Sequence, residues 1–149
     1  MVELFISEWG RVREGLLTTI DAFEDGDLAY RAYDGAWPVG QLMLHIAHEE
    51  RGEVQFGITR ALDAWPDEYA LAEYPTVEAI KTLLVEVHAQ TETYLQTLGD
   101  ADLSRVVETP WGATYTLAAM IWHVVEHEIH HRGELSLILG TLGRDGLNA

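Results

Sequence analysis

Four histidines lie between positions 123 and 131, in the stretch "HVVEHEIHHRGE". An imidazole can ligate a metal, carry a proton near neutral pH or simply pack, and helical phase separates these roles. At about 100° per residue with His123 set to zero, Met120 and Ile138 fall near about 60° and Val124 near about 100°. Leu117 and Leu135 fall near about 120°, so the core direction is about 90°. His131, at about 80°, and His127, at about 40°, share this inward sector. His130 turns outward, and His123 stands at the rim. Two histidines at i, i+4 can aim both rings at one point, as in helical His-x-x-x-His zinc sites, but a site needs a third ligand.

The stretch "WPVGQLMLHIAHEE" offers one. Val39, Leu42 and Ile46 define an inward face, with His45 at its edge, about 60° from Leu42, and His48 turned a further step toward solvent. Beyond Ile46 the inward line becomes Glu49 and Glu53, and carboxylates there should border a wet cavity or a cation. His88, beside Val87, is expected at the surface. Three neutral imidazoles would leave a divalent ion its full charge and an open position, the pattern of a catalytic site. Such an ion lowers the pKa of bound water or of a bound thiol. Zinc or nickel is expected, and iron or copper also suits imidazole. Glu128-x-x-His131 matches a di-metal carboxylate spacing, but the second helix lacks the partner Glu-x-x-His.

The elements that must position these residues are amphipathic helices. Phe5, Trp9, Val12, Leu16, Ile20 and Phe23 form one helical stripe, ending near "EDGD". A second helix is predicted from about Pro38 through "QFGI", and a third after Pro75 with Thr76 as N-cap. The third carries Val77, Ile80, Leu84, Val87, Thr91, Tyr94 and Leu98. The fourth should start near Thr114 or Thr116 and run to about Leu139, after a turn-rich segment with a short extended piece. These helices imply an all-α, single-domain four-helix bundle over residues 1–149, up-down in its simplest form, although the long loops allow other connectivity. Val125, Ile129 and Trp122 make a second stripe on the last helix, facing either another neighbour in the bundle or a second subunit.

The net charge of −16 repels a phosphate backbone, so nucleic acid is not an expected partner. No apolar run approaches a membrane span, no signal peptide is evident, and a cytoplasmic, small-molecule-binding protein is the default expectation. The chain has no cysteine, so any thiol chemistry must use an external co-substrate.

Together, "WPVGQLMLHIA" and "TPWGATYTL…WHVVEHEIHHRGEL" resemble the DinB-like (DNA damage-inducible) superfamily. The resemblance implies a four-helix bundle, often dimeric, with one divalent metal on His45, His127 and His131. Its characterised members include transferases and isomerases that use low-molecular-weight thiols such as bacillithiol, mycothiol or glutathione. The function it implies is a metal-dependent thiol S-transferase. Glu49, Glu53 and Arg132 are candidates for proton transfer or for contact with an anionic co-substrate. The alternatives are a metal-hydroxide hydrolase and a non-catalytic, stress-associated, metal-binding dimer. The position after "HRG", often glutamine in this family, is Glu134 here.

Overall fold

The structure is a computed structural model that describes residues 1–146. Four helices dominate it: α1 (Val2–Asp21), α2 (Val39–Arg51), α3 (Val77–Leu95) and α4 (Leu117–Thr141). The Thr76 and Thr116 hydroxyls cap α3 and α4 by accepting from the Ala79 and Ala119 amides. α2 continues without a break into a π-helical segment, Gly52–Ile58. The extended piece before α4 is an antiparallel hairpin of β1 (Val106–Glu108) and β2 (Thr114–Thr116). Among the described residues, no helix is long and apolar enough to cross a membrane.

The connectivity differs from a simple up-down bundle. α1 packs against α3 and α4, and α2 packs against the same two, so consecutive helices α1 and α2 face across a diagonal. Asp21 meets Lys81 and Trp9 meets His88, so α1 and α3 run in opposite directions. Trp9 meets Glu128 while Ala22 meets Arg144 beyond the end of α4, so α1 and α4 run parallel. The result is an up-down-down-up arrangement, and the chain must return along the bundle between α2 and α3. Residues 59–76 make that return over α2. His48 donates to the Pro66 carbonyl, Arg51 reaches the Tyr69 hydroxyl, and the Trp65 indole lies against Gly52, where any Cβ would collide with it. His48, expected near solvent, is therefore buried beneath this connector.

Two apolar clusters fill the bundle. One gathers Leu16, Ile20, Val39, Met43, Leu84 and Leu135; the other gathers Trp9, Val54, Leu95, Leu117, Ile121 and Val125. On every helix a polar side chain is buried between the two. Arg13 of α1, Glu50 of α2, His88 of α3 and Glu128 of α4 are all buried, at 1–6% exposure. One nitrogen of Arg13 lies 2.5 Å from Glu50 and 2.8 Å from Glu128. The Trp9 indole donates to Glu128, and His88 Nδ1 lies 2.9 Å from Glu50. His88, expected at the surface, thus belongs to the interior. Burial alone would raise the Glu50 pKa, but Arg13 and His88 hold it below the usual range. Burial pushes Glu128 up, against the opposing pull of Arg13.

Removing one member of such a cluster leaves uncompensated buried charge, at a cost of about 3–5 kcal/mol. Arg13→Met should therefore lower the unfolding free energy by that amount in urea titrations. Wild-type stability in that variant would mean that the two carboxylates do not depend on Arg13.

Candidate metal centre

α2 and α4 run antiparallel, which brings His45 of α2 level with the His127–His131 pair of α4. His127 Nε2 lies 3.1 Å from His45 Nε2 and 3.0 Å from His131 Nε2. A ring nitrogen presents either one proton or one lone pair in its plane, so His127 Nε2 can satisfy only one of these contacts as a linear hydrogen bond. A cation at their common focus would satisfy all three. The donor atoms lie within 4.8 Å of one another, so the three residues could hold one divalent ion.

The surroundings keep these imidazoles available as lone-pair donors. Burial, with neighbouring imidazoles adding to it, lowers the His45 pKa to about 4 and the His127 pKa to about 3. His131 Nδ1 donates to Glu134 Oε2 at 2.5 Å, a contact that turns its Nε2 toward His127 and His45. The Trp37 ring, 4.8 Å from that of His45, closes one side edge-on. Beside His131 opens a cavity of about 500 Å³ whose lining includes Tyr33, Trp37, Leu42, Leu137 and Glu134.

The other candidates separate. Glu49 flanks the triad: its Oε1 stands 3.9 Å from His45 Nδ1 and 3.4 Å from His48 Nδ1. Glu53 sits further along, 4.0 Å from His123 Nε2 and largely buried; burial raises its pKa, Glu49 adds to the rise and His123 opposes it. Arg132 instead lies over Gly15 of α1, in space that a Cβ there would occupy, so its guanidinium packs against α1. His130 is exposed, as expected from phase, and His123, which phase left at the rim, is exposed as well. Sequence reasoning missed Glu50 and Arg13, which lie at i+4 from Ile46 and Trp9 on the inward faces of their helices.

The depressed histidine pKa values fix the sign of a pH effect. An unfolded histidine takes up its proton near pH 6.5, whereas folded His45 and His127 resist until about 4 and 3. The unfolded chain therefore binds more protons in that window, and the fold loses stability as pH falls from about 6.5 toward the folded values. In chelator-treated protein the urea midpoint should drop between pH 7 and pH 4.5. The drop should be smaller in a His45→Gln/His127→Gln variant, and equal drops would contradict the assigned shifts.

With this geometry established, comparison with known proteins places the chain. A bundle from Bacillus cereus, described as DinB-like, superposes with a TM-score of 0.79 at 19% identity, covering 99% of this chain and 96% of that one. YfiT from Bacillus subtilis, described as a probable metal-dependent hydrolase with an unusual four-helix bundle topology, gives 0.64 at 24% identity, covering 93% and 87%. The mycothiol-dependent maleylpyruvate isomerase gives 0.63 at 14% identity over 88% of this chain, which spans 59% of that longer protein. The family model of the DinB superfamily matches residues 8–135, and this chain belongs to that superfamily.

Proposed function

We propose that this protein is a metal-dependent enzyme in which His45, His127 and His131 hold one divalent ion and an external low-molecular-weight thiol attacks an organic electrophile. The observation that carries this reading is the convergence of three Nε2 atoms whose spacing hydrogen bonds cannot satisfy. A divalent ion supplies Lewis-acid charge that favours the deprotonated form of a small nucleophile near neutral pH.

The chain's own residues do the rest. Glu134 orients the His131 ring through its contact with Nδ1, while Glu49, 3.9 Å from His45 Nδ1, adds negative charge beside the triad without a hydrogen bond to it. Trp37 keeps water from one flank of the triad, and the adjoining cavity offers an apolar wall for the body of a substrate. Because the chain has no cysteine, a sulfur nucleophile must arrive from outside. A mycothiol-dependent enzyme built on a similar bundle supports a thiol in that role. A second reading, hydrolysis with water as nucleophile, is favoured by the likeness to YfiT, described as a probable metal-dependent hydrolase.

Protein purified without a histidine tag should contain one divalent ion per chain by elemental analysis, and His131→Ala should contain none. Glu134→Ala should keep the site but weaken metal affinity about 10–100-fold. With a candidate thiol and an electrophile, turnover should depend on the thiol and vanish in His127→Ala. Turnover that survives His127→Ala would overturn the proposal, and metal-dependent turnover without thiol would select hydrolysis instead.

A further inference from the structure

A second pocket lies one helical turn along α4 from the triad, between α4, the hairpin and the π-helical end of α2. Its volume is about 420 Å³, and Trp111, Tyr115, Met120, Trp122, His123, Glu53 and Glu126 are among its lining residues. Neither lysine nor arginine lines it. Glu53 is the unusual member, because its side chain is only 12% exposed and its Oε2 is buried with no hydrogen-bond partner. His123 Nε2, 4.0 Å from the other oxygen, is too far to hydrogen-bond. Gly57 lets the wall close: a Cβ there would stand 3.0 Å from the Trp111 ring and 3.4 Å from both Glu53 Oε2 and the Met120 methyl.

We propose that this pocket binds an organic ammonium ion, a quaternary or alkylated amine carried by a small molecule. Aromatic walls attract a cation through the ring quadrupole, and a weakly hydrated ammonium loses little on leaving water. The two carboxylates supply complementary charge, and Glu53 already bears the cost of burial without a partner. A metal ion fits less well. Among the described residues, the groups of three donors close enough to chelate involve His45, His48, Glu49, His127, His130, His131 and Glu134, and never Glu53 or Glu126.

The test compares choline with its uncharged isostere 3,3-dimethyl-1-butanol, each titrated into the full chain and followed by tryptophan fluorescence and calorimetry. Choline should bind saturably, and the alcohol at least about tenfold more weakly. Glu53→Gln should weaken choline about tenfold and leave the alcohol unchanged. Trp122→Leu, at a half-exposed position, should also weaken choline. Equal binding of the two probes would reveal a plain apolar slot and overturn the proposal. So would the absence of saturable choline binding, or choline binding indifferent to both substitutions.

Discussion

A single guanidinium holds the four helices at their relative heights. Arg13 sits between two apolar clusters and reaches carboxylates from α2 and α4 with one nitrogen, while His88 joins the same group from α3. A buried charge cluster is a poor net stabiliser compared with apolar side chains of the same volume. Its effect is selective instead. Sliding α4 by one turn, about 5.4 Å, would carry Glu128 out of reach and leave charge buried without a partner. An apolar layer would tolerate that slip at far lower cost.

The histidine triad inherits its geometry from this layer. His127 is the residue before Glu128, and His45 lies five residues before Glu50, so the register that pairs both carboxylates with Arg13 also brings the histidines level. The switch to π-helical winding follows directly, at Gly52. It advances each residue by less than the usual 100°, so Glu53 and Gly57 turn toward α4 and the hairpin while Val54 and Ile58 stay in the core. On the far side of α2 the 59–76 connector binds His48 and Arg51. α2 therefore presents its triad face to α4, its polar-layer face to α1 and α3, and its back to its own connector.

Much of this was legible from the spacing of apolar residues. The four helices and the inward direction of His127 and His131 follow from a 3.6-residue period, since apolar periodicity reports the average core direction. The Thr76 cap follows from residue type, whereas the start of α4 was open between Thr114 and Thr116. The polar layer was not legible, for the same reason. In α1 the stripe through Trp9 reads on to Val12, yet the side chain that enters the interior is Arg13, one position along. In α2 the line from Ile46 reads on to Glu49, and Glu50 is the fully buried carboxylate. His88 and His48 were assigned to solvent because nothing local shows what covers them. The cover comes from Trp9 and Glu50 in one case and from the connector in the other, both distant in sequence or outside any helix. The diagonal connectivity was hidden in the same way, because helix periodicity carries no information on how a loop crosses the bundle.

Charge sets a further constraint on chemistry at the proposed centre. Glu49, Glu53 and Glu134 rim the α2–α4 groove, and Arg132, which could have offset them, is committed to α1. With a net charge of −16, the field at the groove concentrates cations, which would favour capture of a divalent ion at the proposed three-histidine site. The same field works against anionic substrates. A thiol bearing several carboxylates would meet repulsion that only the ion's own charge could offset, so the proposed chemistry best suits co-substrates that are neutral or cationic. The imidazoles also have little competition from protons, because burial holds His45 and His127 neutral far below pH 7. In the proposed centre an acidic rim around the histidines would thus separate two tasks: the rim would select by charge, and the histidines by coordination.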